Sequence, residues 1–262
     1  MKVLLQFLRL QRVHMVVWLI VVPLITAVVA GSASSVTQGN AFQELIASLP
    51  LSLQRLIGAH ISNPVDAFVA VKLLLIIPAL CGVSGALSAS AIVAGESERG
   101  TLDFLLSLPV DRRSVLSQRF LAVCVELAVL YLATWIILVT VLKASGLSGS
   151  YHLYGLAMLA GLAINMGQSG LTLALSSRIG EYGRTVRYGL ALVLVPFGFE
   201  LALKTAGALP WLRYLLLYRL ADSVEIMTRP GLTLVAAPVG ILVAYAGLRW
   251  AQESFAARQL EA

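Results

Sequence analysis

The chain has 262 residues, 59% of them hydrophobic and 12% charged, and a mean hydropathy of +0.88. Soluble domains carry about 25% charged residues, so this composition excludes an ordinary water-solvated core and surface and points to lipid as solvent. The net charge of +6 calls for no nucleic acid, because a surplus of Lys and Arg facing anionic headgroups is what a multi-pass chain carries.

A helix crosses about 30 Å of hydrocarbon with about 20 apolar residues. Before the first such run, Lys2, Gln6 and Arg9 recur at helical spacing among Val3, Leu4, Phe7 and Leu8, which predicts an amphipathic helix over residues 1–12 lying in the headgroup layer. The first span is expected over 13–31. Its apolar run is longer than a signal-peptide core, so it reads as a retained anchor. The segment "SASSVTQGN" then predicts a polar turn, and "FQELIASLPLSLQRLIG" predicts short surface helices.

The second span is expected over 65–94, about ten residues longer than needed, with a kink at Pro78. Gly82 and Ala86, or Ser84 and Ser88, share a face there and allow close helix approach. The further spans are expected over 118–142, 153–176, 186–204 and 231–249. The fourth carries Asn165, Gln168, Ser169 and Thr172, which should point into the bundle. Between the fifth and sixth, Trp211, Tyr214 and Tyr218 suit the outer interface, in a stretch expected to be a re-entrant or surface helix pair. Cys81 and Cys124 fall within spans and read as packing residues.

The fold class is therefore an all-α integral membrane protein with six transmembrane helices in a single domain over 1–262. Lys and Arg set its orientation. With the N-terminus inside, Lys2, Arg9, Arg12, Arg99, Arg112, Arg113, Arg119, Arg178, Arg184, Arg187, Arg249 and Arg258 face the cytoplasm. Arg55, Lys143, Arg213, Arg219 and Arg229 lie outside. Both termini are expected in the cytoplasm.

One segment departs from this oily pattern. "GESERGTLDFLLSLPVDRR", Gly95 to Arg113, joins the second and third spans on the cytoplasmic side. Thr101 can cap a short helix, Asp103 suits its first turn, Leu102 to Leu108 make it apolar, and Pro109 ends it. A greasy helix outside the bilayer needs lipid or a protein groove to cover it.

This segment resembles the signature that follows the second helix in ABC type-2 exporter permeases. The match falls on Glu96, Glu98, Gly100, Thr101, Leu102, Leu105, Leu106, Pro109, Val110 and Arg112, with Arg119 where many relatives place a Lys. The resemblance implies a coupling helix that docks on a separate ATPase, with Glu96, Glu98, Gly100, Thr101, Leu102, Leu105, Leu106, Pro109 and Arg112 in ATPase coupling. It also implies two copies of that ATPase carrying ATP and Mg, a second permease copy or homologue, and a cytoplasmic (inner) cell membrane location. No "GK" dipeptide occurs in the chain, so a phosphate-cradling loop of that type is absent. No catalytic residue, cofactor site or metal site is expected here.

Two other classes compete. An ion-coupled carrier would draw on the charges within spans: Lys72, Glu126, Glu200 and Lys204. Lys72 can snorkel, and Glu200 and Lys204 can pair four residues apart. Glu126 is the best candidate for a polar pathway site together with Asn165 and Gln168, or else it bonds structurally to one of those two. An intramembrane hydrolase would use Ser169 within Gly167–Gly170. The histidines, His14, His60 and His152, all precede it, and the late base such chemistry needs is missing. Glu96 and Glu98 have no neighbouring His for a metal.

Overall fold

The computed structural model describes residues 7, 10–37, 61, 63–98, 100, 112–206 and 217–257. All the regular structure among them is helical. The elements are α1 (Arg12–Gly31), α2 (Ala33–Thr37), α3 (Pro64–Lys72), α4 (Ile77–Ala91), α5 (Ala94–Glu98), α6 (Arg112–Ala144), α7 (Tyr151–Ile179), α8 (Tyr182–Ala206), a 3₁₀ turn (Leu217–Ala221), α9 (Ser223–Thr228) and α10 (Leu232–Ala257). Six stretches are long and apolar enough to cross a membrane: Arg12–Ser35, Pro64–Ala91, Arg113–Ala144, Tyr151–Ile179, Tyr182–Lys204 and Leu232–Phe255.

The fourth span, α7, is the centre of the bundle and packs against α10, α4, α8 and α6. Its mean hydropathy is 1.3 and 72% of its most apolar window is buried. The first span has hydropathy 2.5 and 22% burial. A helix shielded by protein can carry Asn165, Gln168, Ser169 and Thr172, whereas a helix facing lipid must be oily. Close approach makes α7 central. A Cβ on Gly170 would lie 2.8 Å from the Ala244 carbonyl oxygen, and one on Gly247 would lie 2.4 Å from the Gly170 carbonyl carbon. Only glycine lets the backbones of α7 and α10 meet this closely.

The second span is interrupted, though not where expected. Its helix breaks over Leu73–Ile76, and Pro78 stands in the first turn of α4, where its missing N–H is tolerated. At the break Leu73 and Leu74 N–H both bond to the Val69 carbonyl. The Ala70 carbonyl accepts the Ser223 hydroxyl of α9 at 2.8 Å instead, which satisfies a buried backbone acceptor. Lys72, at the end of α3, is exposed as snorkelling requires.

Two other expectations change. Of the "SASSVTQGN" stretch, only Ser32 is a turn residue, Ala33–Thr37 is helical, and residues 38–40 lie outside the described residues. Ser32, Ser34 and Ser35 donate back to the carbonyls of Val29, Gly31 and Ser32, so their hydroxyls are met within the helix. Tyr218 is not at the interface: it is 5% exposed and packs edge-on to Phe197 inside the bundle. Its 3₁₀ turn thus reaches inward between α8 and α10, as a re-entrant segment would. Trp211 and Tyr214 lie outside the described residues.

Candidate functional site

The site has two levels, both built on α4, α6 and α7. The lower one is the end of the second span. After Ala91 the chain turns at Ile92 and Val93 and restarts as α5. Ser176 of α7 bridges that turn. Its hydroxyl donates to the Ser90 carbonyl at 3.0 Å and accepts the Ala94 N–H at 3.0 Å. Within α5, Glu96 is buried, with Oε1 3.6 Å from Arg119 Nη1 of α6. The same nitrogen donates to the Ile92 carbonyl at 3.0 Å, and the guanidinium lies 5.6 Å from the centre of the Phe7 ring. One buried cation thus ties the turn, α5, α6 and the N-terminal segment together.

Glu98 points the other way. It is exposed, and its Oε1 accepts the backbone N–H of Tyr182, the first residue of α8, at 2.7 Å. That N–H has no partner within its own helix, and a carboxylate suits the positive end of the helix dipole. Gly100 follows with φ +67°, a left-handed conformation that glycine adopts without strain. The two acids of the sequence motif are therefore clamps: Glu96 on the third span and Glu98 on the fifth. Thr101, Leu102, Leu105, Leu106 and Pro109, and the side chain of Arg112, lie outside the described residues.

The upper level is a polar knot around Glu126. This carboxylate is 4% exposed. It accepts the Ser84 hydroxyl at 3.2 Å and the Ser88 hydroxyl at 3.1 and 2.9 Å. His14 Nε2 of α1 lies 3.3 Å from both Glu126 Oε1 and Ser84 Oγ. The expected bond from Glu126 to Asn165 or Gln168 is not made. The third helix begins at Arg112 rather than near 118, which sets Glu126 near its middle and facing α4 and α1. Tyr131, about 140° further round the helix, meets Asn165 instead.

Asn165 Nδ2 donates to Tyr131 Oη at 2.9 Å and to the Pro78 carbonyl at 2.8 Å. Gln168 Nε2 donates to the Leu192 carbonyl at 3.3 Å, and Gln168 Oε1 accepts the Tyr218 hydroxyl at 3.4 Å. Burial pushes the Tyr218 pKa up, so this hydroxyl stays a donor. Glu126, Asn165 and Gln168 are thus three separate cross-links rather than one cluster. The Glu200–Lys204 pairing is also corrected: Lys204 Nζ reaches Asp222 at 2.5 Å, across to the cap of α9.

Three contributors lie outside the sequence-based site: His14 enters that reading only as a histidine preceding Ser169, Ser176 lies at the predicted end of a span, and Tyr182 contributes a backbone N–H that no side-chain pattern reveals.

A family model described as ABC-2 family transporter protein matches residues 2–244. The chain belongs to this family. No curated protein matches it. As an ABC-2 family member it is a multi-pass membrane protein of the transporter permease kind and not itself the catalytic subunit. That membership gives the clamps a context, because the motif they flank is where the sequence resembles ABC type-2 permeases. It weakens the hydrolase reading as well. Ser169 is buried against Gly85, and His14 is occupied at Glu126.

Proposed function

We propose that this ABC-2 family chain is the permease subunit of an ATP-binding-cassette exporter, driven by a separate ATPase subunit in two copies that bind Mg and hydrolyse ATP. The translocation path then forms with a second permease copy or homologue in the cytoplasmic membrane, with both termini and the Gly95–Arg113 segment on the ATPase side.

The observation that carries this reading is the pair of clamps at α5. A push on the greasy segment 101–109 is handed to α5. Glu96 then passes it to α6 through Arg119, Glu98 to α8 through the Tyr182 N–H, and Ser176 to α7. A short element bonded to three different spans is the mechanical link that an external motor requires. Family membership and the surplus of Lys and Arg on the motif side support the same orientation.

The test is co-purification with a partner ATPase, followed by replacement of both Leu105 and Leu106 with Asp. Charged side chains there should abolish docking or leave ATP hydrolysis running without transport. Undiminished docking and transport in the double variant would overturn the proposal.

A further inference from the structure

A groove of about 490 Å³ runs between α6 and α7 at the end of the bundle away from the motif. Ala128, Leu132 and Trp135 form one wall, and Gly155, Leu159 and Leu162 form the other. Leu132 and Leu159 are 55% and 54% exposed, so the groove opens sideways to the surroundings of the bundle. A hydrogen bond favours the present position of its largest wall: Trp135 Nε1 donates to the Tyr151 carbonyl at 3.3 Å. Gly155 leaves room beside that indole, since a Cβ there would meet Nε1 at 3.4 Å.

An apolar groove offers water almost no hydrogen-bond partners, and left unfilled it forfeits dispersion contacts along its lining. At membrane depth the available filler is hydrocarbon. From His152 to Leu162 the groove follows α7 for about 15 Å, the thickness of one leaflet's hydrocarbon. Its mouth is basic. Lys143 lies on α6 within about 20° of the Leu132 face, exposed, with its ammonium 5.3 Å over the Tyr151 ring. His152, exposed and next in sequence to Tyr151, lines the groove at that end. No carboxylate pairs with Lys143 among the described residues. Asp66 is the nearby acid on the neighbouring span, and it is occupied by the Ser150 N–H, the Ser150 hydroxyl and the Tyr154 hydroxyl.

We propose that this groove holds one acyl chain of a phospholipid from the leaflet distal to the motif, with the lipid phosphate at Lys143. Length, apolar lining and a cation at the mouth match the two parts of a phospholipid in the right order. A second copy of the chain has broader uncovered faces elsewhere: the most apolar windows of the first, fifth and sixth spans are 22%, 22% and 28% buried. The inference does not depend on any ATPase partner.

The test is native mass spectrometry of the full chain taken from vesicles of phosphatidylethanolamine and phosphatidylglycerol. One phospholipid should stay with each copy. Ala128→Phe fills the groove from its floor and should cut retention about tenfold or more. Leu159→Phe, at a site already facing lipid, repeats the test should the first variant fold poorly. Lys143→Gln should keep a bound lipid but lower its preference for phosphatidylglycerol about fivefold, the effect of one lysine near an anionic surface. Equal retention in the wild type and both groove variants would overturn the proposal. So would efficient disulfide cross-linking of Leu132→Cys between two copies in membranes, which would assign the groove to self-association.

Discussion

Glu98 Oε1 accepts the Tyr182 N–H at 2.7 Å, so the acid that ends α5 caps the first turn of α8 across 84 positions of sequence. The bond is solvent-exposed, and losing a cap costs about 1 kcal/mol. On the proposed function, Glu98→Ala should therefore lower thermal stability slightly while reducing transport per ATP hydrolysed far more, in membranes that also hold the proposed ATPase. Glu98→Gln keeps an acceptor and should fall between the two. Equal losses of stability and transport would mean that the cap only holds the fold.

Arg119 makes the opposite kind of contact. It is buried, and its guanidinium serves Glu96, the Ile92 carbonyl and the Phe7 ring at once. Removing one member of a buried ion pair costs about 3–5 kcal/mol. Arg119→Leu should show that loss as a depressed melting temperature in detergent. Adding Glu96→Gln should recover a large part of it, because the remaining acid then carries no charge. Arg119→Lys keeps the charge but loses the guanidinium over the Phe7 ring and one of the two directed contacts, and should stand between wild type and Arg119→Leu.

Glycines separate packing from propensity. Gly240→Ala would drive a Cβ to 2.3 Å from the Ala163 carbonyl oxygen, whereas a Cβ on Gly198 meets nothing within 4 Å. Overpacking of the α7–α10 crossing should destabilise by about 1–3 kcal/mol. Gly198→Ala, inside α8, should be neutral or stabilise by up to about 1 kcal/mol through helix propensity. Thermal melts of the two variants side by side decide whether the crossing is as tight as the backbone contacts require.

The spans were legible because lipid imposes one simple rule, a long apolar run: four of the six predicted runs fall inside the apolar helices, while 65–94 runs three residues past Ala91 and 231–249 begins one residue before Leu232. Glu96 and Glu98 stood out in the motif as a pair, but their partners did not. Arg119 lies one helix away, and the Tyr182 N–H is a backbone group that every sequence possesses. The break at Leu73–Ile76 was hidden for a related reason. Pro78 announces an interruption nearby, yet the break also draws on a distant element, Ser223 of α9, whose hydroxyl bonds the Ala70 carbonyl. Lys204 chose Asp222 over Glu200 because a tertiary partner at a helix cap outcompetes a neighbour one turn away on the same helix. Glu126 was rightly singled out as a polar residue within a span. Its partners were missed because small hydroxyl pairs such as Ser84 and Ser88 look like packing residues and not like donors.

Glu126 also offers the sharpest division between a structural knot and a transport site. Its carboxylate gathers two serines from the second span and His14 from the first. Interhelical hydrogen bonds within membranes are worth about 0.6 kcal/mol each on average, so Ser84→Ala and Ser88→Ala should each be mild. Glu126→Leu removes the shared acceptor and leaves the His14 ring facing an apolar side chain, which should cost about 2–4 kcal/mol. Glu126→Gln is nearly isosteric and keeps an acceptor oxygen. For a knot that joins the first three spans, it should hold stability within about 1 kcal/mol and retain ATP-driven transport. An ion-coupled carrier predicts another pattern, because there the charge itself is exchanged during the cycle. Glu126→Gln would then be fully folded and inactive, and transport by the wild type would follow an ion gradient with no nucleotide present. Melting temperature and transport measured on the same Glu126→Gln preparation separate the two, since the knot couples fold to function and the carrier site does not.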